Sequence, residues 1–319
     1  MSQARNFADL LASGTTITSD KLDDNAIHGN RNLIINGSFA VSQRGSSFSA
    51  PNGQYTLDRM RCAQANSADT ISQQTFTVGQ TDVPGSPKNF LRFAFGAANA
   101  NRVLETRIED VYIGAGQSIT LSFYAKASAA HTSTIEMTQS FGSGGSSAVA
   151  FGTQSYNITT SWQRFEFTLS CPSISGKTVN AGSYLSAAFL RSLSAGPNIN
   201  VDIALLQLEV GEQATPFEHR SYADELVRCQ RYYNVTGTSA GYLVPTGVGA
   251  YGYILAPMSF PVEMRSAPSM INTSFGNAGT GSYHGAFQSI TTYRYVQEMR
   301  NSSGSSLYGQ TINTADAEL

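Results

Sequence analysis

Short runs of alternating apolar and polar residues, separated by turn-forming residues, leave this chain few possible folds. The clearest run, ITLSFYAK at 119–126, places Leu121 and Phe123 on one face and Ser122 and Tyr124 on the other. A period of two residues is typical of a strand with one buried face. About ten such runs lie within 32–210, with Gly, Ser and Asn between them. We therefore predict a mainly β chain built on an antiparallel jelly-roll β-sandwich.

One stretch near the middle of the chain breaks this β-pattern. Ser221, followed three residues later by Asp224, is similar to a helix-capping box. Four residues then recur at helical spacing on one stripe: Tyr222, Leu226, Cys229 and Tyr233. The sequence predicts a single connecting helix between two β-rich units.

A chain of 319 residues exceeds the size at which one core usually stops growing. We predict four parts: an attachment arm at 1–31, a jelly-roll domain at 32–218, a linking helix at 219–234 and a smaller β-rich tip domain at 235–319. The tip is short and rich in Gly and Ser, so we expect it to be buried against sister copies. The residues predicted to lie in that oligomer interface are Leu226, Cys229 and Tyr233.

Composition argues against several classes of function. Charged residues make up 13% of the chain and the net charge is −2, so no nucleic-acid surface is expected. No apolar run is long enough for membrane insertion, and the N-terminus lacks the apolar region of a secretory signal. Cys62, Cys171 and Cys229 are widely spaced and odd in number, which predicts buried thiols in a reducing cytoplasm.

No common catalytic motif occurs, and we do not predict an enzyme. The paired carboxylates that glycoside hydrolysis needs could come from Glu105, Glu109, Asp110 and Glu136. We favour ion pairs of these residues with Arg102 and Arg107 instead. Asp58 and Arg59, in YTLDRMR, are interpreted as a structural pair in which an arginine orients the aspartate.

Aromatic residues carry the binding hypothesis. Ten of the fifteen tyrosines lie at or after Tyr222. Tyrosine offers a sugar ring an apolar face and a hydroxyl, although the same rings could fill a trimer core. Trp162 is the only tryptophan and precedes a strand, where we expect it to pack inward. The predicted receptor-binding residues are Tyr242, Tyr283, His284, Tyr293 and Tyr308.

Several segments together resemble jelly-roll carbohydrate-binding modules over 32–218. They are NLIINGSF at 32–39, whose LII is interpreted as a strand, SITLSFYAKAS at 118–128, SWQRFEFTL at 161–169 and NVDIALLQLEVG at 200–211. In that family an acidic pair near the opening strand helps to hold calcium, whereas Ser38 and Ala40 stand here. Asn36 and Asp202 are the remaining oxygen donors for calcium, and no cofactor is expected.

A second set of motifs extends along nearly the whole chain: NLIINGSFAVSQRG, YTLDR, ATPFEHRSYADELVRCQRYY, FPVEMRSAPSM and ADAEL. They resemble tail-fibre and receptor-binding proteins of tailed bacteriophages. The resemblance implies a homotrimer in the virion tail, assembled in the host cytoplasm and attached to other tail proteins by its N-terminal arm. It implies multivalent adhesion to host surface polysaccharide or lipopolysaccharide. The alternatives are a structural virion spacer or decoration protein and a polysaccharide-degrading tail spike.

Overall fold

A computed structural model describes residues 30–96, 100–195, 198–236, 242–243, 253–277, 283–301 and 308–319. The predicted mainly β fold is confirmed, and its first eleven strands form an antiparallel sandwich. These strands are β1 (Ser47–Ser49), β2 (Met60–Gln64), β3 (Thr70–Thr75), β4 (Asn89–Phe95), β5 (Ala100–Ile108), β6 (Ser118–Ala127), β7 (His131–Ser140), β8 (Val149–Ile158), β9 (Gln163–Ser170), β10 (Tyr184–Ala195) and β11 (Ile199–Val210).

Two sheets make up the sandwich. One has six strands in the order β1-β3-β4-β11-β6-β9, and the other has five in the order β2-β5-β10-β7-β8. Alternate side chains of each strand enter the core between the sheets, as Leu121 and Phe123 of β6 and Phe167 of β9 do. The alternate positions of the six-stranded sheet therefore point away from this core.

The segment before β1 differs from the prediction of a strand at Leu33–Ile35, because its backbone forms turns instead. Asn36 has a φ of 62°, and its side chain donates to the Val41 carbonyl at 2.8 Å and accepts from the Val41 amide at 2.9 Å. Gly37 then passes so close to β11 that a Cβ would lie 2.0 Å from the Leu206 carbonyl oxygen. A side-chain-to-backbone turn therefore takes the place of a sheet ladder.

The predicted helix is present as α1 (Tyr222–Gln230). The Ser221 hydroxyl caps it by accepting from the Asp224 amide at 3.1 Å, as the sequence predicted. Its inner face buries Glu225 and Cys229. In the described ranges, no helix has both the length and the apolar character that crossing a membrane requires.

The strands after α1 form two further antiparallel sheets. In the first, β18 pairs with β12, β13 and β15, and in the second β17 lies between β14 and β16. Phe260, Met264 and Tyr295 are central in the core that these strands share. The bounds are β12 (Tyr233–Thr236), β13 (Tyr242–Leu243), β14 (Tyr253–Ser259), β15 (Ser269–Asn277), β16 (Tyr283–Gln288), β17 (Arg294–Asn301) and β18 (Tyr308–Asp316).

All three cysteines are free and buried, as predicted. Burial raises the pKa of the Cys62 thiol to about 12 and raises that of Cys229 well above its usual value. These thiols are therefore protonated and unreactive at neutral pH. The division into an arm, a jelly-roll domain, a linking helix and a tip domain stays a prediction, and most of the arm, residues 1–29, lies outside the described residues.

Candidate functional site

The surface of the six-stranded sheet that faces away from the core combines aromatic and charged side chains. We call this surface the outer face. Strand register places Asp202 of β11 between Arg92 of β4 and Lys126 of β6. One row along, Tyr124 lies between Ala204 and Arg164. Alternation along the strands thus brings residues from four separate parts of the chain together.

Trp162 lies on the outer face, so the expectation that it packs inward is wrong. Its ring centroid is 5.3 Å from that of Phe76 and 5.6 Å from that of Phe90. The ammonium nitrogen of Lys126 lies 5.2 Å from the Trp162 ring centroid. Local sequence shows that Trp162 precedes a strand but not on which side of the sheet it lies. Trp162 and Tyr124 are both half-buried, which leaves part of each ring exposed.

A bidentate ion pair adjoins these rings. Asp202 accepts from Arg92 Nε at 2.7 Å and from Arg92 Nη2 at 2.8 Å. Asp202 is 3% exposed, whereas the Arg92 side chain is 33% exposed. Such a pair holds the guanidinium in a fixed orientation, with its remaining N–H groups available to a ligand.

A cavity of about 340 Å³ extends from the outer face beneath two loops, and we call it the Phe217 cavity. One loop precedes β4 and contributes Pro84 and Gly85, and the other follows β11 and contributes Phe217 and His219. Partial burial lowers the pKa of His219, so the imidazole is neutral at pH 7. The other residues that surround the cavity are Ser122, Phe123, Tyr124, Arg164, Leu205 and Pro216.

The outer face and the Phe217 cavity have the chemistry of a sugar-binding surface. Exposed parts of aromatic rings pack on the C–H faces of a sugar ring. Charged side chains that are fixed by neighbouring residues can form hydrogen bonds with the hydroxyl groups of the sugar, and so can a neutral imidazole. A largely apolar recess with a few convergent polar groups is typical of small-molecule sites.

The predicted receptor-binding residues belong to the other end of the chain. Tyr293, just before β17, is 61% exposed. The backbone of Tyr242 lies in β13, that of Tyr283 and His284 in β16, and that of Tyr308 in β18, while their side chains lie outside the described part. Their role in binding stays a prediction. Tyr295, by contrast, is fully buried and fills the core of the C-terminal strands.

The predicted interface residues have different surroundings. Cys229 is fully buried and Tyr233 is 9% exposed within the single chain. The Arg44 guanidinium lies 3.5 Å from the Tyr233 ring centroid. Only Leu226, which is half-buried, retains surface for a partner. The helix side chains with the greatest apolar exposure are instead Tyr222 and Val227.

The proposed calcium ligands are both occupied by protein groups. Asn36 is bonded to Val41 and also donates to the Asp58 carbonyl at 2.9 Å, while Asp202 accepts from Arg92. Across the ranges that the structure describes, no three His, Cys, Asp or Glu residues are placed to hold a metal ion together. Calcium binding by Asn36 or Asp202 stays an untested expectation.

The four carboxylates considered for hydrolysis also have partners. Glu105 pairs with Arg61 and with Arg107, the second as predicted. Arg102, however, pairs with Asp69 at 2.9 Å, with both side chains fully buried. The remaining partners are Arg231 and Tyr232 for Glu109, Ser183 for Asp110, and Arg191 and Thr153 for Glu136.

A buried ionic cluster joins the two motifs that the phage resemblance singled out. Arg220 bonds to Glu225 at 2.9 Å and to Glu218 at 3.1 Å, and it also donates to the carbonyls of Asn32 and Ile34. The Glu225 carboxylate in turn accepts from the Asn36 amide. No role was predicted for these charges, since the backbone groups that they bond at Asn32, Ile34 and Asn36 lie almost 190 residues away in the chain.

A second buried cluster contains Arg59, and it corrects the interpretation of Asp58 and Arg59 as a pair. Asp58 is held by Gln43, whose backbone and side-chain nitrogens both donate to it at 2.6 Å. Arg59 instead pairs with Glu318 and stacks on the Tyr232 ring, with its guanidinium carbon 3.6 Å from the centroid. This cluster connects the sandwich to the segment that follows β18.

Glu218 gives the first cluster a pH dependence. Burial alone would raise the pKa of Glu218, but amide donors at Asn32 and Asn30 and the charge of Arg220 lower it. A carboxyl group with a lowered folded-state pKa stabilises the fold above its unfolded-state pKa, and this contribution is lost as the pH falls through the folded-state value. We expect the stability difference between the native chain and Glu218→Gln, measured by urea unfolding, to shrink from pH 7 to pH 3. An equal difference at both pH values would contradict this.

Comparisons with known proteins show structural likeness only. No protein-family model and no curated protein sequence matches the chain. A family 11 carbohydrate-binding module from Clostridium thermocellum is 11% identical, with a TM-score of 0.32, and the match covers 56% of this chain and 99% of the module. The cellulose-binding domain of Cellulomonas fimi β-1,4-glucanase C is 14% identical, with a TM-score of 0.33, over 45% of this chain and 90% of that domain.

The enzymatically active domain of tailspike protein 4 from bacteriophage CBA120 is also similar, with 16% identity and a TM-score of 0.37. The match covers 56% of this chain, and the chain spans only 21% of the tailspike chain. All three TM-scores lie below 0.5.

Proposed function

We propose that this chain is a glycan-binding adhesion protein of a bacteriophage tail. The observation that carries the glycan part is the placement of two half-buried rings, Tyr124 and Trp162, beside Lys126 and the Arg92–Asp202 pair on the outer face. Together they offer an apolar surface to a sugar ring and fixed donors to its hydroxyl groups. The glycan bound by such an adhesion protein would be a polysaccharide or lipopolysaccharide of the host surface.

The phage part of the proposal is supported by the motifs that resemble tail-fibre proteins, because two of them contact each other in the fold. NLIINGSF and FEHRSYADEL, far apart in sequence, are joined by Arg220, Glu218 and Glu225. Residues 1–31 attach the chain to other tail proteins. Three copies of the chain supply the avidity that weak individual sites need.

We expect Tyr124→Ala and Trp162→Ala each to weaken binding to host polysaccharide about tenfold, because each substitution removes an aromatic ring on which a sugar ring can stack. Surface plasmon resonance with purified, immobilised polysaccharide measures this. Tyr112→Ala is the matched control, since it removes a 58% exposed ring outside the outer face. If neither variant binds more weakly than the control, the site has been wrongly placed on the outer face.

The same preparations separate the alternatives. Release of shorter chains from the polysaccharide would indicate a degrading spike, and a protein that neither binds nor cleaves would be a structural virion component. Light scattering gives the oligomeric state, and a monomer would contradict the avidity argument.

The tip is better tested by point substitution than by deletion. Removing residues 235–319 would also remove Glu318 and leave Arg59 buried without its carboxylate partner. Tyr293→Ala changes an exposed side chain of the predicted receptor site without that effect. Weaker binding of this variant to host cells would place a second site in the tip.

A further inference from the structure

The Phe217 cavity differs in chemistry from the rest of the outer face. Most of its wall is carbon: the rings of Pro84, Pro216 and Phe217, the Leu205 side chain and the ring of Tyr124. Its polar side chains are Ser122, Arg164 and His219. The wall is therefore apolar with polar groups at a few points.

The dimensions of the cavity limit what it can hold. About 340 Å³ lies near the lower end of the range of roughly 300–1,000 Å³ for small-molecule pockets. One sugar ring with its substituents fits this volume, and a longer oligosaccharide or a peptide segment does not. Pro84, Pro216, Arg164 and His219 are each exposed, so the cavity is reached from the same side as the outer face.

The apolar wall also limits which sugars can enter. A hydroxyl group pressed against proline and phenylalanine carbon loses its bonds to water and gains no partner. A methyl group in the same place gains stability from burial. The hydroxyl of Ser122 and the neutral imidazole of His219 remain to bond the polar atoms of the same residue, since each can both donate and accept.

We propose that the Phe217 cavity binds a methyl-bearing substituent of a host sugar, either an acetyl group or the C6 methyl of a 6-deoxyhexose. This inference rests on the proposed glycan-binding function and adds the class of sugar that is recognised. The outer face then contacts the neighbouring, fully hydroxylated residues of the same glycan.

Saturation-transfer NMR on the full chain tests the inference with four probes. The free sugars N-acetylglucosamine and L-rhamnose carry the methyl group, and the free sugars glucose and L-mannose are their hydroxylated counterparts. We expect the acetyl or C6 methyl protons to receive the strongest saturation. Each methyl-bearing probe should bind at least about fourfold more tightly than its counterpart, the factor that corresponds to burying one methyl group. Comparing the two methyl-bearing probes shows which substituent the cavity takes.

Two variants locate the preference within the molecule. Phe217→Ala removes part of the wall, and Ser122→Val fills part of the space without opening a void. With either variant, a methyl-bearing probe and its hydroxylated counterpart should bind with about equal affinity. Tyr112→Ala, whose ring lies outside the cavity, should keep the preference for the methyl-bearing probe. Thermal unfolding checks that each variant is folded.

Three outcomes overturn the inference. Equal affinity for both members of each probe pair is the first, and a preference that survives Ser122→Val is the second. The third is that the chain binds host polysaccharide through Tyr124 and Trp162 but none of the methyl-bearing probes. In each case the proposed adhesion function stands, whereas a chain that binds no glycan contradicts both proposals.

Discussion

Replacing Arg220 with alanine is expected to lower the free energy of unfolding by about 3–5 kcal/mol, the usual loss when one partner of a buried charge pair is removed. The Arg220 side chain is 8% exposed, and its partners Glu225 and Glu218 are 5% and 12% exposed. Without the guanidinium, both carboxylates remain buried beside each other with less compensation. The carbonyls of Asn32 and Ile34 also lose their side-chain donor.

Urea unfolding followed by Trp162 fluorescence measures the loss, because this single tryptophan reports on the sandwich. Arg220→Lys should recover only a small part of the stability, since an ammonium group cannot reproduce the planar set of donors. The matched control is Arg191→Ala: its 3.7 Å pair with Glu136 is more exposed and should cost less than about 1 kcal/mol. Equal losses for Arg220→Ala and Arg191→Ala would show that the cluster does not stabilise the junction.

Replacing Glu318 with alanine is the second substitution with a large expected effect, again about 3–5 kcal/mol. Arg59 is 1% exposed, and Glu318 is the carboxylate that pairs with it. The guanidinium also donates to the Arg107 carbonyl and stacks on Tyr232, and neither contact neutralises its charge. The variant must therefore expose Arg59 to water, which requires the segment after β18 to leave the sandwich.

Hydrogen exchange at 317–319, the residues after β18, follows this separation directly. We expect faster exchange there in Glu318→Ala and a smaller change in Glu318→Gln, which keeps an oxygen acceptor for Arg59. Glu166→Ala is the control, because the Glu166 side chain is 50% exposed and pairs with Arg164 at the surface. Unchanged exchange in Glu318→Ala would mean that Arg59 does not hold the C-terminal segment.

Strands could be predicted from the sequence where the pattern is local. The alternation at 119–126 reproduces β6 (Ser118–Ala127), and Ser221 marks where the helix begins. The prediction of a strand at Leu33–Ile35 was wrong, because an apolar run indicates that residues are buried but not that their backbone pairs with another strand. Asn36 and its bonds to Val41 decide the conformation there.

The candidate site was less predictable, because it depends on contacts between distant segments. Arg92 meets Asp202 across 110 residues, and no spacing rule predicts that pair. Trp162 could be assigned to a strand end but not to a sheet face. The role of the tip tyrosines in receptor binding stays a prediction that rests on composition.

The position of β18 determines the order in which this molecule can be completed during synthesis. β12, β13 and β15 all precede β18 in the chain, and each pairs with it. A ribosome must therefore release Tyr308–Asp316 before that sheet can close. Until then the finished sandwich carries Arg59 without Glu318, and the earlier strands present unpaired edges. The interval between translation of β15 and translation of β18 is thus when a nascent chain is most exposed to pairing with a neighbouring copy.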